Sequence, residues 1–378
     1  MRYVFIITII VLLQLFSLGA ALSLEWWVAP WTTKTSQMQV MIAMFMISNS
    51  LLLLTLTKRI KNSYRWISGW MLVMHFMILT AVIISLVFAV CWIAISVFDT
   101  FLISSIAMEV GLRALALLIF IGLFVYCLYS AYVPTVRELS ITIKKPLSES
   151  LKIAVASDLH LGRLFGNKAI DKLHQLLIKH KADMLLMPGD ILDDNTHAFN
   201  EYNMADNLAR LCASVPYGVY ATLGNHDLYG HEQPISEALR HAGVQLLNDA
   251  VSKVDYRGQP IWLVGRFDNH KRERVATTEL LALVDTSEPV ILLDHRPSDI
   301  DEHSQLPIDV QVSGHTHDGQ IFPANYIVRA INRLGYGYEA INQRHFVVSS
   351  GYGFWGIPFR LGSRSEIWLI TILGSSNQ

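Results

Sequence analysis

The stretch Ile153-Ala-Val-Ala-Ser-Asp-Leu-His160 decides how the rest of the chain is read, because four apolar residues run directly into a carboxylate and an imidazole. A short apolar run bounded by turn residues predicts a buried strand. The same junction recurs four times. Met184-Leu-Leu-Met187 leads into Pro188-Gly189-Asp190, and Val219-Tyr-Ala-Thr222 into Gly224-Asn225-His226-Asp227. Val290-Ile-Leu-Leu293 leads into Asp294-His295-Arg296-Pro297, and Val310-Gln-Val312 into Ser313-Gly314-His315-Thr316-His317. Between the first two strands, residues 167–181 carry Ile170, Leu173, Leu176 and Leu177 at helical spacing, with Asn167 as the expected N-cap. Strands alternating with amphipathic helices predict an α/β domain. The carboxyl ends of strands in such sheets open into one crevice, so these Asp, Asn and His side chains are expected to converge there.

Asp158, His160, Asp190, Asn225, His295, His315 and His317 form a set of oxygen and nitrogen donors without a thiolate. That chemistry suits Mn, Fe or Zn better than soft metals. Seven donors exceed what one tetrahedral ion takes, so two divalent metal ions sharing one carboxylate are the expected cofactors, clamping the oxygens of a displacement at phosphorus. Each short motif alone is commonplace; the five together, each behind an apolar run, are not. His174, His180, His197, His241, His270, His303 and His345 lie outside the pattern and are expected to be structural or solvent-exposed. His231, five residues past His226, is within reach of the crevice rim.

Upstream the text changes. Of the 378 residues, 1–134 hold ten charged side chains and 135–378 hold the other 51. Four runs, about 3–24, 37–57, 67–93 and 112–133, are apolar over the roughly 20 residues that a bilayer core requires. We therefore expect a helical transmembrane anchor of about four helices over 1–134 and a catalytic domain over 135–378. The first run also fits a signal peptide ending near Gly19-Ala20-Ala21, and 94–110, bracketed by Asp99 and Glu109, either extends the third helix or lies along the interface. Lys58, Arg59, Lys61 and Arg65 precede the third run, and Arg137, Lys144 and Lys145 follow the fourth; the other side has Lys34 and Arg113. The excess of basic residues predicts a multi-pass protein of the plasma or inner membrane whose polar domain is cytoplasmic. His75 stands nearly alone among ionisable groups within a run, which argues against a transport path. A net charge of −1 gives no electrostatic case for nucleic acid as the main partner, and three cysteines exclude a disulfide framework.

At the metal-ligand motifs the sequence resembles the calcineurin-like metallophosphoesterase superfamily, and more closely its membrane-associated branch with N-terminal helices. The likeness covers about 140–374, including Ser349-Ser350-Gly351-Tyr352-Gly353 and Pro358-Phe359-Arg360. It implies a four-layer α/β/β/α sandwich. It further implies that Asp158, His160 and His317 hold one metal, that Asn225, His295 and His315 hold the other, and that Asp190 bridges them. His226 would protonate the leaving oxygen, with Asp227 orienting its ring, while hydroxide shared by the metals attacks phosphorus. One departure is visible: where many relatives read Gly-His-Thr-His-Gly-Gly-Gln, Asp318 precedes Gly319-Gln320 here. An extra carboxylate is expected either to favour the metals or to trim access for anions.

The resemblance thus implies a membrane-anchored phosphoesterase acting on a phosphodiester or pyrophosphate bond. Apolar residues near the last motif (Ile321, Phe322, Tyr326, Ile327, Val328) and in the tail (Tyr352, Phe354, Trp355, Ile357, Phe359) fit either core packing or a greasy lip for a lipid-linked substrate. The competing class is a membrane-bound regulatory or binding module that keeps the fold without turnover. Loss of a ligand position would favour it, and all seven are intact.

Overall fold

The computed structural model of the protein describes residues 2–57, 63–98 and 105–375. The chain divides into two compact units, Met1–Cys127 and Leu128–Gln378. In the first lie α1 (Arg2–Val28), α2 (Lys34–Leu56), α3 (Ser63–Phe98) and most of α4 (Ser105–Tyr132). All four are long and apolar enough to cross a membrane. They outrun the apolar stretches because a helix continues through polar residues that remain solvated. The ambiguous segment divides accordingly: 94–98 extend α3, 105–110 open α4, and 99–104 lie outside the described residues, as do Lys58, Arg59, Lys61 and Asp99. The helices meet through small and polar side chains. The Ser17 and Ser48 hydroxyls are 2.7 Å apart, and the Trp70 indole donates to Ser48 Oγ at 2.8 Å. His75 stacks on Phe16 with ring centroids 5.8 Å apart, the part of a packed polar group.

Among the described residues the second unit contains twelve strands: β1 (Thr135–Thr142), β2 (Leu151–Val155), β3 (Met184–Pro188), β4 (Val219–Thr222), β5 (Gln245–Leu246), β6 (Ala250–Tyr256), β7 (Gln259–Gly265), β8 (Val290–Leu293), β9 (Val310–Ser313), β10 (Gly337–Ile341), β11 (Arg344–Val348) and β12 (Glu366–Leu373). They form two six-stranded sheets, ordered β1-β12-β2-β3-β4-β5 and β10-β11-β9-β8-β7-β6. Side chains alternate across each strand, which makes four layers. Ile153, Val155, Met184 and Leu186 face Leu263, Ile291, Leu293 and Val312 in a core between the sheets. Ala154, Leu185 and Met187 turn outward against Ile170, Leu173 and Leu177 of the helix α5 (Asn167–His180). Val264 and Leu292 pack outward on the other side against Leu280 and Leu281. Both faces of the central strands are covered, which is why they read as unbroken apolar runs. The N-cap of α5 is Gly166, not Asn167, and no side chain caps it; Asn167 opens the helix and donates instead to the Tyr202 carbonyl at 2.7 Å.

Candidate metal centre

The loops that leave β2, β3, β4, β8 and β9 meet at one crevice. There Asp158, His160 and His317 offer donor atoms within 4.8 Å of one another, and Asp190, His295 and His315 do the same. Asp190 joins the two groups, its Oδ2 lying 3.8 Å from His160 Nε2 and 3.3 Å from His295 Nε2. Asn225 Oδ1 is 3.3 Å from His295 Nε2, completing the second group. The His160 and His317 Nε2 atoms face each other at 3.2 Å. The structure therefore brings together all seven residues expected to hold metal.

The backbone is shaped for this convergence. Asp158, His160, Asp190, His315 and His317 all have left-handed conformations, with φ between 45° and 70°. Each such residue costs about 1–2 kcal/mol without glycine, and so many at one place mark a functional site. Close approach also matters: a Cβ on Gly314 would lie 2.2 Å from Asp158 Oδ2, and one on Gly224 2.2 Å from Asp190 Oδ1. His295 Nδ1 donates to the Pro188 carbonyl at 2.8 Å, which turns Nε2 toward the carboxylates.

Electrostatics show what the cluster requires. Burial pushes Asp158 up to about 6, against the favourable field of His295. Burial opposes the charge of Asp190 as well, but His295 and His160 outweigh it and hold that carboxyl well below its usual range. Burial lowers His160 to about 3 and His315 to about 3, so both offer neutral lone pairs. His295 goes the other way, to about 10, because Asp190 and Asp158 overcome its burial. Two buried carboxylates thus draw positive charge to a point flanked by the neutral imidazoles of His160 and His315 and by His295, which keeps a proton there. Divalent cations fit this donor set, and thiophilic ones do not.

Residues 151–319 match the family model for calcineurin-like phosphoesterase. The chain is 32% identical over 245 residues to an uncharacterized metallophosphoesterase of Aquifex aeolicus, covering 62% of this chain and 90% of the relative. It belongs to the calcineurin-like metallophosphoesterase family. An uncharacterized metallophosphoesterase of Helicobacter pylori is 31% identical over 249 residues, and the match spans 64% of each protein. A Danio rerio relative named as a transmembrane protein with metallophosphoesterase domain is 30% identical over 276 residues, 68% of this chain and 62% of that one. Members of the family normally bind divalent metals, and the residue groups above match that chemistry.

Around its metal groups this metallophosphoesterase departs from expectation in three places. The His226 ring is oriented by Asp194, not Asp227: Nδ1 lies 2.6 Å from Asp194 Oδ1. Asp227 is fully buried and its oxygens accept from the Ile191, Leu192 and Gly224 N–H groups at 2.9–3.1 Å, so it ties two loops together. Burial and the nearby Asp190 push its carboxyl up to about 7. Asp318 neither reaches the metal groups nor presents free charge, because Arg329 holds it bidentately at 2.9 and 2.8 Å. His231 is exposed at the start of the helix Glu232–His241, and Tyr229 takes the rim position, its ring centroid 4.9 Å from that of His226.

Two further features have roles that the motifs do not assign. Arg360, wholly buried, donates to the Ser350 and Gly353 carbonyls at 2.6 and 2.7 Å and sets Nη2 3.2 Å from His317 Nδ1. The other is a pair of triplets whose charges run in opposite order, Arg266-Phe267-Asp268 and Asp294-His295-Arg296. Gly265 of β7 pairs with Leu293 of β8, and beyond the ladder Arg266 meets Asp294 at 3.1 Å while Asp268 meets Arg296 at 2.7 Å. His295 sits between these ion pairs. Asp294, Asp299 and His303 superficially resemble a third metal group, but the guanidiniums of Arg266 and Arg274 fill it at 2.6–3.3 Å. His303 is a structural residue, as expected.

Proposed function

We propose that this metallophosphoesterase hydrolyses phosphodiester or pyrophosphate bonds with two divalent metals, on a catalytic domain spanning 135–378 that faces the cytoplasm from a membrane anchor spanning 1–134. The observation that carries the reading is Asp190, whose carboxylate reaches His160 of one donor group and His295 of the other. Asp158, His160 and His317 would hold one ion and Asn225, His295 and His315 the second. When bound, such ions supply a nucleophile from water at neutral pH and neutralise charge developing at phosphorus. His226 stands beside both groups with Asp194 behind it. Burial disfavours its charge, yet Asp194 and Asp190 raise its pKa above the ordinary value, which suits an imidazolium that donates Nε2–H to the departing oxygen. A crevice of about 310 Å³ before these residues, walled by Tyr229 and Trp355, accommodates the phosphoryl group and part of its substituents.

We infer that one substituent is lipid-linked. Of the apolar residues near the site, Tyr352 and Phe354 are core, at 1% and 4% exposure, but Trp355, Tyr326 and Ile327 are 48%, 64% and 58% exposed. Exposed apolar side chains of this kind suit an acyl or lipid surface. The decisive experiment is hydrolysis of bis-p-nitrophenyl phosphate by the full-length protein in detergent, with and without added Mn²⁺, beside Asp190→Asn. Turnover that requires metal and disappears in the variant supports the reading; metal-replete protein without turnover refutes it. Equal rates on soluble and lipid-linked diesters would remove the lipid inference alone.

A further inference from the structure

A second cavity, of about 530 Å³, opens between the end of α4 and the start of α5, away from the metal-ligand residues. Tyr132, the last residue of α4, forms one wall; its hydroxyl donates to the Leu164 carbonyl at 3.2 Å and its ring packs edge-on to Phe354 at 5.3 Å. Phe165, Tyr352 and Met204 continue this apolar side. The opposite side is cationic. Arg163, Lys168 and Lys172 line it, and no acidic residue does. Arg163 is neutralised by Glu201 at 2.8 Å, but among the described residues Lys168 and Lys172 have no ion-pair partner.

The fold adds further polarity of the same sign. The N-terminus of α5 opens on this cavity without a side-chain cap and without an acidic residue in its first turn, so its positive end is uncompensated. A ligand that fits carries an anion for the lysines, next to an apolar wall. Tyr132 ends the fourth helix apolar enough to span a membrane, so the cavity lies where the chain leaves that helix.

We propose that this cavity binds the phosphate headgroup of an anionic phospholipid, with Lys168 and Lys172 on the phosphate. The site is separate from hydrolysis and holds the catalytic unit to lipid at a fixed place. It rests on residues 1–134 spanning a bilayer. Each lysine acting on a lipid phosphate changes affinity roughly fivefold, so losing both weakens binding by more than about tenfold.

The test uses full-length protein in detergent micelles doped with dioleoyl phosphatidylglycerol, dioleoyl phosphatidylcholine or neither, or with inorganic phosphate instead. Thermal unfolding and bis-p-nitrophenyl phosphate turnover are followed for the wild type, Lys168→Ala/Lys172→Ala and Lys168→Glu/Lys172→Glu. Phosphatidylglycerol is expected to raise the unfolding temperature of the wild type in a saturable manner while phosphatidylcholine does not. Both variants are expected to lose that rise and keep their metal-dependent turnover. An undiminished rise in either variant overturns the site, as does an equal rise with phosphatidylcholine. An equal rise with inorganic phosphate at the same concentration overturns the lipid assignment and leaves a soluble-phosphate site. Because turnover is read separately, failure here is distinguishable from failure of the hydrolase reading.

Discussion

His226 Nδ1 and Asp194 Oδ1 stand 2.6 Å apart, the shortest approach of a carboxylate to any imidazole in the crevice. A hydrogen bond there fixes the ring so that Nε2 faces outward, and it favours the protonated form. If His226 delivers a proton to the leaving oxygen, Asp194→Asn should lower turnover by about 10²-fold on alkyl phosphodiesters, whose leaving groups need that proton. The loss on p-nitrophenyl esters should be far smaller. A uniform loss on both, or none, would mean that Asp194 merely supports the loop.

The family resemblance implies Asp227, the last residue of Gly-Asn-His-Asp, as the partner of His226. A residue adjacent in sequence is poorly placed to reach its neighbour's ring, and here it serves three backbone N–H groups instead. Asp227→Ala leaves three buried N–H donors without their acceptor at once. It should destabilise the protein by about 2–4 kcal/mol in thermal or denaturant unfolding, through unsatisfied donors, and reduce activity only in proportion to the folded fraction.

The strand-and-motif arrangement was legible because both causes are local: an apolar run predicts a covered strand, and the ligand residue follows it directly. Asp194 was not, since it lies in Asp193-Asp194-Asn195, a loop whose composition is that of any turn. The tail motif includes Arg360 but not its role, as nothing in sequence says that this guanidinium will be buried against His317. The triplets Arg266-Phe267-Asp268 and Asp294-His295-Arg296 mirror each other in sequence, yet only the register of β7 on β8 reveals their pairing.

That pairing makes a further prediction. Arg266 is 5% exposed and Asp294 fully buried, so Arg266→Met removes one side of a buried pair, although Arg274 still touches Asp294 at 3.2 Å. We expect a loss of about 3 kcal/mol in unfolding free energy and a 10–100-fold weaker affinity at the ion held by His295. Arg266→Met/Asp294→Asn should recover much of the stability, because no unpaired charge remains, without recovering the affinity. Titration calorimetry beside denaturant unfolding separates the two effects; recovery of both would deny the ion pair a positioning role.

Gly314 tests whether close backbone approach fixes one metal ligand. Its missing Cβ leaves room for Asp158 Oδ2 and for Ser157 Oγ, which would lie at 2.2 and 2.5 Å. Asp158 is buried and anchored by the His315 N–H at 3.0 Å, so it cannot swing away freely. Gly314→Ala should displace that carboxylate and leave about one tightly bound divalent ion per chain in place of about two, by elemental analysis after gel filtration. Retention of both ions would show that the loop relaxes around the methyl group.

His345 supplies a prediction independent of catalysis. It is buried on β11, where its Nε2 lies 3.1 Å from the Thr142 carbonyl and its Nδ1 2.9 Å from the Tyr338 hydroxyl. Burial lowers its pKa below the ordinary value, more strongly than the Thr142 carbonyl raises it. His303 is lowered as well, by burial first. The unfolded chain therefore binds protons that the folded one refuses once the pH falls below about 6.5, and stability declines in that direction, by up to about 1.4 kcal/mol per pH unit for each group. Above that pH both states hold neutral imidazole and the contribution is flat. His345→Gln keeps a polar side chain but removes the proton, so the acid limb of unfolding temperature against pH should become shallower while the value near pH 8 shifts less. An unchanged acid limb would mean that other groups, chiefly the buried carboxylates, govern acid unfolding.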